Sequence, residues 1–238
     1  MNIAIDIGNT RAKVGRFVER SLVEAAVLEG DLQEGIQTWI SQFQVEHAIV
    51  SSVRSDSEIP DIRTSGELIT LNHNTTLPFE VAYKTPETLG RDRLAGVAAA
   101  HREFESLNVF IIDAGTCITY DFLTAEGTFL GGNIAPGLRM RLQSMSDYTA
   151  RLPFVEQHHV ENLIGATTEE ALQNGAEKGV LLEIEGYKSR LEEEYGEVVT
   201  VITGGDAKYL AVKLKTKIFV RPDLVLMGLN EILRYNVV

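Results

Sequence analysis

The chain has 238 residues, of which 44% are hydrophobic and 24% charged, a composition that builds a globular core and excludes a largely disordered or fibrous protein. That length holds one large domain or two small ones and is too short for three. With 34 acids against 22 bases the net charge is −12, so the surface repels phosphate backbones and anionic lipid heads, and neither nucleic acid nor a membrane is expected as a partner.

Asn2–Ile7 reads as a short apolar strand, Arg11–Val18 and Leu22–Leu28 as two more, with turns at Gly8-Asn9-Thr10 and Glu19-Arg20. Leu32, Ile36, Trp39, Ile40 and Phe43 recur at helical spacing after the cap residue Asp31, and Ala48–Ser51 forms a fourth strand. From Ser55 to Thr76 the chain is polar, with a strand expected at Glu67–Leu71, and a helix follows from Asp92 to about Glu105. The opening then repeats: a strand Asn108–Ile112 ends in Asp113, Cys117–Leu123 returns, and Thr128–Ile134 makes a third strand. Helices are expected at Leu138–Ser146, Thr168–Glu194, Ala207–Leu214 and Leu224–Arg234, with strands at Val198–Ile202 and Lys217–Val220. The strand end Ile5-Asp6-Ile7-Gly8-Asn9-Thr10 matches Ile112-Asp113-Ala114-Gly115-Thr116, the mark of an internal duplication. It divides the chain into α/β halves, 1–107 and 108–238.

The single cysteine, Cys117, cannot form an intrachain disulfide and has no metal-ligand spacing, which fits a reducing compartment. Met1 to Asp6 is no basic leader, and no segment approaches the roughly 20 apolar residues of a membrane span. A soluble, cytoplasmic protein is expected.

An Asp at a strand end followed by Gly-Asn-Thr suits phosphate handling. Gly8 lets backbone approach an anion, Asn9 and Thr10 donate hydrogen bonds, and Lys13 adds a cation. Asp6 itself would act through a bound cation such as Mg²⁺, which bridges carboxylate and phosphate oxygens. One such motif is more simply a hairpin turn, but a duplicated pair related by a pseudo-twofold would set Asp6 and Asp113 facing across one cleft. Thr203-Gly204-Gly205-Asp206 has the form of a turn where a base or ribose lies against bare backbone, and any tight connection also favours Gly. For Gly131 to Leu138 the structural and ligand-contacting readings weigh evenly. At Gly90-Arg91-Asp92-Arg93 the residues alone favour Asp92 as a helix cap with both arginines solvated, against an ionised carboxylate beside an anion-holding Arg93. His158-His159 reads as a surface pair, Glu192-Glu193-Glu194 as a solvated face, and no serine-hydrolase, P-loop or zinc motif is present.

Taken together, Asp6-Ile7-Gly8-Asn9-Thr10 with Lys13 and Gly15, Thr85 with Gly90-Arg91-Asp92-Arg93, Asp113-Ala114-Gly115-Thr116, Gly131-Gly132-Asn133-Ile134-Ala135-Pro136-Gly137 and Thr203-Gly204-Gly205-Asp206 resemble, in this order, the motifs of the type III pantothenate kinases. The resemblance implies the duplicated ribonuclease-H-like, actin-like ATPase fold: two similar α/β halves with mixed sheets and a cleft between them. It further implies a homodimer and ATP-dependent phosphorylation of pantothenate to 4'-phosphopantothenate, the first step toward coenzyme A. Carried over by position, the nucleotide-phosphate loop falls on Asp6, Ile7, Gly8, Asn9, Thr10, Arg11, Ala12 and Lys13, with Thr116 a second ATP contact. Asp113 matches a carboxylate that binds a monovalent cation, potassium or ammonium. Gly90, Arg91, Asp92 and Arg93 match the pantothenate-binding stretch, Asp92 standing where the family has its proton acceptor, and Tyr83 and Thr168 match two further substrate contacts. Arg91 stands where the family pattern is more often uncharged, and Cys117 where a small Ala is common. Two other readings stay open: a kinase of the same fold acting on another small acceptor, and a non-catalytic, nucleotide-binding regulatory relative.

Overall fold

In the computed structural model, which describes residues 1–8, 10–53 and 59–237, the chain divides into two compact units. The first comprises Met1–Ser106, Leu123–Gly131 and Asp223–Val238, and the second Leu107–Phe122 and Gly132–Pro222. Asn9 of the first motif, and the start of the polar stretch from Ser55, lie outside the described residues.

In the first unit, strands β1 (Asn2–Ile7), β2 (Arg11–Val18), β3 (Ser21–Glu29), β4 (His47–Ser52) and β5 (Leu68–Thr70) form a mixed sheet in the order β3-β2-β1-β4-β5. Strand β1 pairs antiparallel with β2 and parallel with β4. A central strand covered on both faces selects a continuous apolar run, and Ile3, Ala4, Ile5 and Ile7 are all buried. Strand β3 lies at the edge, largely exposed, and its Glu24 and Glu29 place charge where an open edge would otherwise recruit another strand. Helix α1 (Leu32–Ile40) starts where expected: Asp31 Oδ1 accepts the amide of Glu34 at 3.1 Å. It buries Leu32, Ile36, Trp39 and Ile40 in one core with Ile3, Ile5 and Val14. The alanine-rich helix α2 (Arg91–Glu103) and the final helix α6 (Leu224–Val237) pack together, and α6 also lies on β1. Compactness thus places the last helix in the first unit, although the duplication counts it in the second half of the sequence.

Strands β7 (Asn108–Ala114), β8 (Cys117–Leu123), β9 (Thr128–Pro136), β10 (Val198–Thr203) and β11 (Phe219–Val220) follow the order β9-β8-β7-β10-β11, which repeats that of the first sheet. The strand after each duplicated Asp stands next to it, and β7 pairs parallel with β10 as β1 does with β4. Asp6 and Asp113 are both penultimate in their strands. A further strand, β6 (Glu80–Val81), pairs parallel with Thr128 and Phe129 at the start of β9. Two residues are too few to show a period, so the sequence did not reveal it.

In the second unit, helix α3 (Leu138–Asp147) follows β9 and the long helix α4 (Thr168–Tyr195) follows in turn. The apolar stripe of α4 is covered within the unit: Val180, Leu181 and Ile184 join Phe110, Ile112, Tyr120 and Phe122, while Leu172 and Ala176 join Leu142 and Val155. Helix α5 (Ala207–Ala211) stops short of Leu214, the chain closing instead in a turn in which the Lys213 and Leu214 amides both donate to the Leu210 carbonyl. Strand β11 is likewise shorter than read. Among the described residues no helix is long and apolar enough to cross a membrane.

Candidate active site

Strand register decides the surroundings of Asp6. Lys13 on β2 and Ser51 on β4 stand opposite it, and cross-strand partners share a face of the sheet. The Asp6 carboxyl is pushed from its usual 3.8 up to about 6. Burial is the largest cause, the Asp92 carboxylate raises it further, and the Ser51 hydroxyl and Lys13 ammonium pull it back. Beyond Asp6 the Gly8 amide donates to the Arg11 carbonyl at 2.9 Å and closes a tight hairpin. Ile7 and Ala12 turn their side chains into the core, while Thr10 and Arg11 are exposed. Ile7 and Ala12 can therefore meet a ligand through backbone alone.

Gly90 takes the cap of α2, with φ −57° and ψ 130°. The cap reading of Asp92 is thereby corrected: extended backbone at Gly90 lets the helix begin at Arg91, so Asp92 falls second in the helix. Its Oδ1 accepts the Arg93 amide at 2.8 Å. A carboxylate in the first turn is favoured by the helix dipole. Neither arginine is solvated as the cap reading had it. Arg91 Nη1 donates to the Ser52 carbonyl at 3.0 Å, tying the helix to the end of β4. Arg93 is only 7% exposed, its guanidinium 5.6 Å from the Tyr83 ring and 5.9 Å from that of Phe129. The first unit thus gathers Asp6, Lys13, Tyr83 and Gly90 to Arg93, with Asp6 and Asp92 in electrostatic reach.

In the second unit, Asp113 pairs with Thr203 across β7 and β10. The Gly115 amide donates to the Cys117 carbonyl at 3.0 Å, leaving Thr116 and Cys117 exposed. The Gly137 amide donates to the Thr116 carbonyl at 3.0 Å, and a Cβ on Gly137 would lie 2.3 Å from the Gly115 carbonyl. Gly204 has φ +95°, and a Cβ there would lie 2.4 Å from the Ala114 carbonyl and 2.5 Å from Asp113 Oδ1. The glycine-rich stretches therefore converge on residues 113–116, and Gly137 and Gly204 are required where backbone meets backbone. A cavity of about 530 Å³, lined by Thr116, Pro136, Arg139, Met140, Gln143 and Tyr148 among others, opens beside them. Thr168 is the exposed first residue of α4, next to the cap Thr167, whose Oγ1 accepts the Glu170 amide at 3.2 Å.

Two features were not legible in sequence. His158 and His159 are exposed, as a surface pair would be, and His159 in addition sets its Nδ1 2.9 Å from Glu177 Oε1, a buried carboxylate to which Tyr209 also donates. Burial alone would push Glu177 up, but the Tyr209 and His159 hydrogen bonds and the Lys213 charge outweigh it and hold the carboxyl low. Ser51 and Ser52, both buried, carry no motif signal and acquire their places through the register of β4. Among the described residues no group of three or more His, Cys, Asp or Glu side chains forms a metal cage. The carboxylate of Asp6, at the strand end, would suit a cation such as Mg²⁺ held through its water shell.

The family model of the type III pantothenate kinases matches residues 2–190. The chain belongs to that family. It is 41% identical to the type III pantothenate kinase of Bacteroides fragilis over 99% of this chain and 98% of that one, and 35% identical to that of Cytophaga hutchinsonii over the whole of both. Among solved structures, a Baf family protein from Campylobacter jejuni aligns with a TM-score of 0.64 at 23% identity, covering 98% of each chain. A glucokinase from an Antarctic psychrotroph aligns at 0.54 and 12% identity, also over 98% of each. These likenesses show the fold, the duplicated ribonuclease-H-like arrangement of the actin-like ATPases. As a type III pantothenate kinase family member the chain is an ATP-using phosphotransferase, and Asp6, Asp92, Asp113 and Gly137 lie within the residues matched, while the Gly204 turn lies beyond them.

The raised Asp6 carboxyl has a consequence for stability. The unfolded chain ionises this group near 3.8 and the folded chain near 6, so its contribution is fully present below about 4 and is lost as pH rises through 6. Asp6→Asn removes that loss. Urea unfolding without divalent cations should show the variant more stable than the parent at pH 8 by about 3 kcal/mol, with the gain gone at pH 4. An equal difference at both pH values would contradict the assignment.

Proposed function

We propose that this member of the family transfers the γ-phosphoryl group of ATP to the primary hydroxyl of pantothenate, giving 4'-phosphopantothenate, the first step toward coenzyme A. The observation that carries the reading is the placement of Asp92: a carboxylate at the opening of α2, second in the helix after Gly90 and close enough to Asp6 to shift its ionisation. Full-length likeness to relatives named type III pantothenate kinases supports the choice of substrate. The same reading takes residues 1–107 and 108–238 as the two copies of the duplicated fold.

In this reading Asp92 accepts the proton of the attacking hydroxyl. An alcohol is a poor nucleophile at neutral pH, and a positioned base contributes typically 10²–10⁴-fold. The residues Asp6, Ile7, Gly8, Asn9, Thr10, Arg11, Ala12 and Lys13 form the phosphate loop, and Thr116 makes a second ATP contact beside the 530 Å³ cavity. Mg²⁺, when bound, neutralises charge on the phosphates, and Asp6 would hold it through its water shell. Pantothenate meets Tyr83, Gly90, Arg91, Asp92, Arg93 and Thr168. Of these, Arg91 acts through its backbone, since its guanidinium is engaged with Ser52, and Arg93 through a guanidinium already oriented by Tyr83 and Phe129. Asp113 holds a potassium or ammonium ion. A homodimer in the cytoplasm completes the proposal. Exposed apolar side chains of the second unit support the dimer, among them Leu163, Ile164 and Leu182, while the single cysteine supports a reducing compartment.

The decisive assay is ADP release dependent on both ATP and pantothenate. Asp92→Asn should lower kcat by roughly 10²–10⁴-fold with little change in the KM for ATP or in Tm, since an asparagine oxygen can still accept the Arg93 amide. Near-parental turnover would withdraw the role. In the same assay, replacing sodium by potassium at constant ionic strength should raise the rate, and Asp113→Asn should flatten that response. Equal rates for the parent in both salts would remove the monovalent ion from the proposal. Light scattering at micromolar concentration should give the mass of two chains, and a monomer mass across that range would exclude the dimer.

A further inference from the structure

The guanidinium of Arg141, in the first turn of α3, is engaged on every side. Its Nη1 and Nη2 donate to the two oxygens of Glu183 at 2.8 and 2.6 Å, and its Nε donates to the Pro136 carbonyl at 2.8 Å. Glu183, on α4, also accepts from the hydroxyl of Tyr120 on β8 at 3.1 Å. Gly179, one turn earlier on α4, lies beside the fork: a Cβ there would meet Arg141 Nη1 at 3.5 Å, an ordinary contact distance. The side chain of Arg141 is 17% exposed, so the ion pair is partly desolvated, and a forked arginine to carboxylate pair has one geometry where a lysine has many.

What the fork holds is the end of β9. Pro136 is the last residue of that strand, and the next amide, that of Gly137, donates to the carbonyl of Thr116. The contact is close enough that a Cβ on Gly137 would lie 2.6 Å from the Thr116 carbonyl. A continuous run of hydrogen bonds therefore leads from Tyr120 through Glu183 and Arg141 to Pro136, and through Gly137 to Thr116. No step of this run needs a ligand. Thr116 itself is exposed at the end of a two-residue turn, where little else within the turn fixes its position.

From this geometry we infer that Arg141, fixed by Glu183, is a positioning residue for ATP binding: it holds Thr116 in place through Pro136 and Gly137. The inference rests on the reading of Thr116 as an ATP contact. Arg141 touches no substrate. Its effect is to spare ATP the cost of ordering the Thr116 turn on binding, which is a binding effect rather than a chemical one. A brace that serves only to pack α3 against α4 would lower Tm and leave substrate affinity alone.

The test is steady-state kinetics with ATP and pantothenate on Arg141→Lys, Arg141→Ala, Glu183→Gln, Thr116→Ala and the double Arg141→Ala/Thr116→Ala variant. Each single substitution at 141 or 183 should raise the KM for ATP by about tenfold, with kcat and the KM for pantothenate within about twofold of the parent. Lysine should not rescue, because it keeps the charge but cannot make the fork and the Pro136 bond together. The double variant should be no worse for ATP than Thr116→Ala alone, the signature of two residues acting in one path. If Arg141→Ala fails to fold, Arg141→Lys and Glu183→Gln carry the same expectation. An unchanged KM for ATP in the 141 and 183 variants, an equal rise for both substrates, or multiplicative effects in the double variant would overturn the inference. Thr116→Ala with an unchanged KM for ATP would instead overturn the reading of Thr116 on which it rests.

Discussion

A carboxylate at the end of the central strand of the first unit, kept partly out of water and within reach of a second carboxylate, is the constraint on which that unit is built. Asp6 is unfavourable where it stands: burial and the Asp92 charge both oppose its ionisation. The strand that carries it offsets the cost. Ile3, Ile5 and Ile7 are each at most 2% exposed, and each contributes roughly 1.5–3 kcal/mol by leaving water. The parallel partner β4 and the antiparallel partner β2 bring Ser51 and Lys13 to the same point, so the acid is not stranded. An arrangement that spends stability on placing charge is the usual mark of a functional site, since such groups are held by the surrounding packing rather than by their own preference.

The second unit repeats the scaffold and changes the chemistry. Its strands follow the same order, and Asp113 occupies in β7 the place of Asp6 in β1. The neighbours differ. Where Asp6 has Ser51 opposite it in the parallel strand, Asp113 has Thr203, and the turn after that strand brings Gly204 against the Ala114 carbonyl. The first copy is arranged around side-chain charge, and the second around close backbone approach braced by Arg141 and Glu183. A duplicated fold can serve two tasks in this way, because strand order fixes where the strand ends lie, while turns and flanking helices decide what surrounds them.

Arg93 and Arg91 illustrate how neighbouring arginines come to separate ends. Arg91 reaches β4 and Arg93 lies on aromatic rings, because successive residues of a helix point about a hundred degrees apart and two steps carry a side chain to the far side. A pattern of basic residues around an acid therefore says less about anion binding than it first suggests. What counts is which guanidinium is already engaged.

The amino-acid sequence by itself determined the local elements and, through five ordered motifs, the family and the duplicated fold. Strand β1, helix α1 with its Asp31 cap, and the long helix α4 were legible because periodicity and capping act between residues a few positions apart. The two-residue strand β6 was not, having no period to read. Nor was the cap of α2, where Asp92 offered the better capping side chain and the backbone of Gly90 took the position. Only the tertiary structure decided that Asp92 acts on Asp6, that His159 serves Glu177, and that Arg141 forks onto Glu183. Each of these joins residues on different elements, and the partner is chosen by strand register and helix docking. Those in turn are set by burial of whole apolar faces, a global property that no short stretch of sequence contains.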